Sequence, residues 1–153
     1  MALFLVQHGK SLPKDVDPGQ SLSEQGISDV KRIAEVAKGY GINVSGIHHS
    51  GKTRARMTAE IFASDLAPKD GIQQVVGMAP MDDVTAFAKT IIPNEKKIFV
   101  GHLPFMERLT AYLITGSQEK PVFKFQNGGI VCLDVFPETE SWAIKWSLMP
   151  NID

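Results

Sequence analysis

The chain opens on an apolar run, Leu3 to Val6, that stops at Gln7-His8-Gly9. A short run closed by glycine reads as a buried strand entering a tight turn. A polar stretch containing Pro and Gly follows from Ser11 to Gln20. Ser21-x-x-Glu24 has the form of a capping box, and Ile27, Val30, Ile33, Ala34 and Ala37 then recur at helical spacing. Gly39 and Gly41 close that helix. A second short strand is expected around Val44 to His49. Ala55, Ala59, Phe62 and Ala63 mark a helix from Lys52 to about Asp65, stopped before Pro68. A strand at Gln73 to Val76 comes next. Asp82-Asp83 open a third helix, predicted to run through Phe87 to Ile92 and to be closed by Pro93. Lys97 to Val100 reads as a strand ending at Gly101-His102, and Pro104 starts a helix to about Thr115, ended by Gly116. Two final runs, Gly129 to Val135 and Trp142 to Leu148, flank turn residues and form a predicted hairpin. Trp142 and Trp146, four apart, fall on one face of such a strand and read as hairpin core.

Strands alternating with helices point to an α/β protein: a three-layer α/β/α sandwich, its sheet mostly parallel with an antiparallel C-terminal hairpin. No internal repeat or linker interrupts the pattern, so residues 1–153 are expected to form one domain.

Composition narrows the class. At 153 residues, 43% hydrophobic and 22% charged, the chain can bury a core without a disulfide or metal staple. Its formal net charge of -1 argues against nucleic acid or an anionic membrane as the main partner. The one cysteine, Cys132, lies in the run Ile130-Val131-Cys132-Leu133 and reads as a small buried hydrophobe. The N-terminal apolar run lacks a basic flank, and no apolar run approaches the roughly 18 residues of a membrane span. A cytoplasmic setting is the expectation.

In sheets of this kind, ligands bind beyond the carboxyl ends of the strands. Two histidines fall there, His8 and His102, each beside a glycine. Four segments then carry a resemblance: Leu5-Val6-Gln7-His8-Gly9; Leu22-Ser23-Glu24-Gln25-Gly26; Ser50-Gly51-Lys52-Thr53-Arg54-Ala55 running into Thr58-Ala59; and Val100-Gly101-His102-Leu103-Pro104. In this order they resemble the histidine phosphatase (phosphoglycerate mutase-like) superfamily. The ending Trp146-Ser147-Leu148-Met149-Pro150 looks like the tail of the short SixA-type phosphohistidine phosphatases.

The resemblance implies a phosphatase in which His8 attacks phosphorus and carries the phosphoryl group covalently. His8 must then be neutral, its other ring nitrogen held by a backbone carbonyl in the Gly9 turn. The implied phosphate cradle is Gln7, His8, Gly9, Arg54 and His102, with Arg54 gripping two oxygens and a protonated His102 adding a donor. Neither metal nor cofactor is called for. One position departs from the pattern: Gln7 stands where the superfamily usually has Arg, replacing a charged fork by a neutral donor. Lys10, one residue past the Gly9 turn, could restore that charge. Asp82 and Asp83 fall where the superfamily places an acidic group, although a helix N-terminus also favours carboxylates.

A rival pattern is present. Gly46-Ile47-His48-His49-Ser50-Gly51-Lys52-Thr53 satisfies the phosphate-binding P-loop spacing, with Asp134 ending an apolar strand as a Mg²⁺-directing residue. Bulky Ile47, His48 and His49 fit poorly in a loop whose amides must approach phosphate. His48 and His49 with His8 and His102 would be a metal set, but the ligand spacing is wrong. The predicted loops are short, which suits an open site and a phosphorylated protein, such as a histidine-phosphotransfer domain. A small-molecule phosphomonoesterase, or a phosphate-binding module weakened by Gln7, are the alternatives.

Overall fold

A computed structural model describes residues 2–152; Met1 and Asp153 lie outside the described residues. The first apolar run forms strand β1 (Ala2–Gln7), and its alternation splits the core in two. Phe4 and Val6 pack on one side of the sheet, Leu3 and Leu5 on the other. Helices α1 (Glu24–Gly39) and α2 (Thr53–Leu66) cover the first side through Val30, Ile33, Ala34, Ala55, Ala59 and Phe62. Helices α3 (Val84–Ala88) and α4 (Phe105–Thr115) cover the second through Val84, Phe87, Phe105, Met106 and Leu109.

Between them lies a six-stranded sheet in the order β3-β2-β4-β1-β5-β6. Its remaining strands are β2 (Ile47–His49), β3 (Ile72–Gln74), β4 (Ile98–Gly101), β5 (Ile130–Phe136) and β6 (Ser141–Leu148). β1 to β4 run parallel, whereas β5 is antiparallel to both β1 and β6. The protein is therefore the expected three-layer α/β/α sandwich with a C-terminal hairpin at one edge. The β1–β4 register places Gln7 beside Gly101, so the residues that follow, His8 and His102, leave the sheet side by side. Among the described residues no helix is long and apolar enough to cross a membrane.

Three expectations need correction. The N-cap of α1 is Ser23, whose hydroxyl accepts from Gly26 N at 3.0 Å; the Ser21 hydroxyl instead donates to Asp17. Packing decides this. A Cβ at Gly26 would lie 2.0 Å from the Lys10 carbonyl oxygen, so the first turn of α1 sits directly on the chain leaving His8, and Ser23 N donates to that carbonyl at 2.9 Å. The third helix is shorter than predicted: Thr90 N and its hydroxyl both bond the Phe87 carbonyl, ending it after Ala88. Lastly, the two tryptophans do not share a face. A β-bulge between Cys132 and Leu133 shifts the hairpin register, so Trp146 packs with Phe4 on the α1/α2 side and Trp142 on the α3/α4 side.

Candidate active site

The turn after β1 is held from four directions. His8 N donates to Gly101 O at 3.0 Å, and Gly9 N donates to Thr58 Oγ1 at 2.9 Å. The His8 carbonyl accepts from Asn127 Nδ2 at 3.0 Å and from Gly128 N at 3.2 Å. Thr58 in turn donates to the Arg54 carbonyl at 2.7 Å, tying the turn to the first helical residues of α2. Position 9 has no room for a side chain, because a Cβ there would meet Val30 Cγ2 at 2.8 Å.

Within this frame the His8 ring is oriented by one bond, from Nδ1 to Gly9 O at 2.7 Å. A carbonyl only accepts, so the proton resides on Nδ1 and the lone pair on Nε2. Burial, joined by the charge of Arg54, pulls the His8 pKa down to about 4 against the pull of the Gly9 bond, and the ring is neutral near pH 7. Arg54 lies in the first turn of α2 with Nε 3.4 Å from His8 Nε2. The guanidinium thus donates through Nε to the Nε2 lone pair.

His102 is 1% exposed, with its ring centroid 5.0 Å from that of His8 and Nε2 2.6 Å from Ser50 Oγ. Its Nδ1 is buried with no hydrogen-bond partner among the described residues. Burial first, then His8, Arg54 and Lys52, press its pKa down to about 3. His102 is neutral near pH 7, not protonated, because a dry setting and its positive neighbours oppose a further cation. Negative phosphoryl oxygens would pull this pKa back up.

The structure thus brings His8, Gly9, Arg54 and His102 together. Gln7, the last residue of β1, is 8% exposed, and its Oε1 is buried without a partner among the described residues. Lys10 is exposed, its backbone carbonyl engaged by Ser23. The two acidic candidates serve the backbone: Asp83 accepts from Thr85 N at 2.9 Å as the α3 N-cap, and Asp82 accepts from Ala79 N at 2.8 Å. Bonds to Thr85 hold the Asp83 carboxyl below its ordinary range, so it is a poor proton donor.

The P-loop reading fails on geometry. Ile47–His49 is strand β2, not a loop wrapping a phosphate, and the buried His49 ring uses Nδ1 to accept from Gly51 N at 3.1 Å. His48 stacks edge-on against Phe99 at 5.5 Å. Among the described residues no three His, Cys, Asp or Glu side chains gather as a metal set. Cys132 is buried, as expected, and burial lifts its thiol to about 11. Three contributors escaped the sequence reading. Ser50 and Thr58 sat inside recognised segments without an assigned task, and Asn127 offered only the turn signal of Asn127-Gly128-Gly129.

No family model matches this chain. It is 31% identical over 113 residues to an uncharacterised protein of Picosynechococcus sp., a span of 68% of this chain and 67% of that protein. Among solved structures it is similar to the protein histidine phosphatase SixA complexed with tungstate: TM-score 0.82, 22% identity, 98% of this chain and 97% of that one covered. The chain belongs to the cyanobacterial protein's family and has the histidine phosphatase fold. Two further neighbours differ in substrate. A phosphoserine phosphatase of Entamoeba histolytica in complex with 3-phosphoglyceric acid matches with TM-score 0.70, 16% identity and 95% of each chain covered. A mycobacterial glucosyl-3-phosphoglycerate phosphatase complexed with VO3 matches with TM-score 0.69 and 14% identity, over 95% of this chain and 97% of that one. The fold alone leaves the substrate open.

Proposed function

We propose that the protein is a phosphatase that passes a phosphoryl group through His8. The Nε2 lone pair attacks phosphorus as the bond to the leaving group breaks. Water then attacks the phosphohistidine, the P–N bond breaks, and inorganic phosphate leaves with His8 restored. The observation that carries this reading is the His8 ring itself, its Nδ1 fixed on Gly9 O at 2.7 Å and its Nε2 turned toward Arg54. Arg54 would grip the phosphoryl oxygens, and His102 would donate to them as charge spreads in the transition state. Gln7 and Gly9 would complete the cradle, while Lys10 could supply charge at its rim.

The favoured substrate is phosphohistidine on another protein, such as a histidine-phosphotransfer domain, in a cytoplasmic setting. Leaving-group chemistry supports it. Asp82 and Asp83 are taken up by caps, and a phosphoramidate needs little acid help once its own nitrogen is protonated. The alternatives keep the site and change its use: a phosphatase for small phosphomonoesters, in line with the substrates of two neighbours, or a phosphate-binding module in which Gln7 has slowed turnover.

The test is incubation with a phosphorylated histidine-phosphotransfer domain, following loss of its phosphohistidine and acid-labile phosphate on His8. Turnover with label on His8 is expected. Tight phosphate or vanadate binding without turnover would favour the binding module. Faster release from a small phosphomonoester would favour the metabolite enzyme.

A further inference from the structure

Ser50 is the side chain that hydrogen-bonds the His102 ring, and the cradle described above gives it no role. Its Oγ lies 2.6 Å from His102 Nε2, and Lys52 N donates to the same oxygen at 3.4 Å. The other nitrogen of His102 has no partner among the described residues, inside a side chain that is 1% exposed. A neutral imidazole carries one proton, and the two placements are unequal. On Nδ1 the proton would be a buried donor without an acceptor, the rarer kind of vacancy. On Nε2 it meets the Ser50 oxygen.

We propose that Ser50 is a positioning residue that keeps the proton of neutral His102 on Nε2. Ser50 Oγ, 2.6 Å from Nε2, accepts that proton's hydrogen bond. When a phosphoryl group arrives, the same N–H turns from the hydroxyl to a phosphoryl oxygen, and no tautomer change is required. The hydroxyl thus acts as a placeholder for the substrate oxygen. This rests on the phosphatase reading for its use, but not for its geometry, since the tautomer exists without substrate.

Two readouts test it separately. ¹⁵N NMR of the imidazoles in the full chain at neutral pH reports which His102 nitrogen holds the proton. Turnover of the phosphorylated histidine-phosphotransfer domain reports the consequence. The unsubstituted protein is expected to show His102 protonated on Nε2. Ser50→Ala should mix the tautomers and lower kcat about 10- to 100-fold, within the range of a misplaced donor, with a smaller change in KM. Ser50→Thr, which keeps the hydroxyl, should recover most of both. A proton on Nδ1 in the unsubstituted protein, or Ser50→Ala leaving tautomer and kcat unchanged, would overturn the proposal. If the unsubstituted protein turns over nothing, the phosphatase reading fails and the NMR arm alone decides the role of Ser50.

Discussion

His8 and His102 end neighbouring parallel strands, yet the chain secures them differently. Around His8 several groups share the holding: the main-chain Gly101 O and Gly128 N and the side chains of Thr58 and Asn127 fix its turn, and its own neighbour Gly9 fixes the ring. Around His102, among the described residues, one side chain, Ser50, bonds a ring nitrogen, and the other nitrogen has no hydrogen-bond partner. No single substitution removes every bond to the His8 turn, whereas the Ser50 bond to His102 disappears with one. The residue proposed to form a covalent bond is held by several groups; the residue proposed only to donate has its ring held by one side-chain bond among the described residues.

The sharpest way to break that contrast is to remove each ring. His8→Ala is expected to abolish steady-state turnover, a loss on the order of 10⁴-fold or more, since it removes the proposed nucleophile. His102→Ala should cost less, about 10²- to 10³-fold in kcat, as expected for one transition-state donor. Equal losses in the two variants, measured on the same phosphoprotein, would erase the distinction drawn here.

Gln7→Arg probes what the cradle lacks. Charged hydrogen bonds contribute about 1.5–3 kcal/mol against about 1 for neutral ones, so a guanidinium there should raise kcat/KM by roughly 2- to 30-fold. No gain, or a loss, would mean that the buried position has been shaped to the amide.

Titration reaches both rings. Burial lowers His8 to about 4 and His102 to about 3 from an ordinary 6.5. Below 6.5 the unfolded chain takes up protons that the native rings refuse, so stability falls as pH drops from 6.5 toward 4 for His8, and on toward 3 for His102. Urea unfolding across that window should show the decline, and His8→Ala or His102→Ala should flatten it. The smallest effect expected is at a cap. Asp83→Ala should destabilise by about 1 kcal/mol in thermal or urea unfolding while leaving turnover unchanged; a large fall in kcat would instead make Asp83 a proton donor.

Much of this site was legible because its outline is made of local signals. An apolar run stopping at Gln7-His8-Gly9, and another at Gly101-His102, announce strand ends whatever the rest of the chain does. Where reading failed, long-range packing had decided. By pattern Ser21 is the cap, three residues before Glu24, and packing of the Lys10 carbonyl against Gly26 accompanies the choice of Ser23 instead. Trp142 and Trp146 share a face in an ideal strand; a bulge set by pairing with β5 parts them. Ser50, Thr58 and Asn127 are ordinary polar residues until the fold carries them across 52, 49 and 119 positions of sequence to their partners.

The Gly26–Lys10 contact also bears on the thermodynamics of encounter. Because α1 rests on the segment just past the His8 turn with no side chain between them, the freedom of that segment is lost when the protein folds and not when a ligand arrives. A phosphoryl group entering here meets a turn already ordered, and its binding entropy is correspondingly less unfavourable. An alanine at position 26 would push the two backbones apart and return that disorder to the moment of binding. Turnover could then weaken in a protein whose reacting groups were all intact.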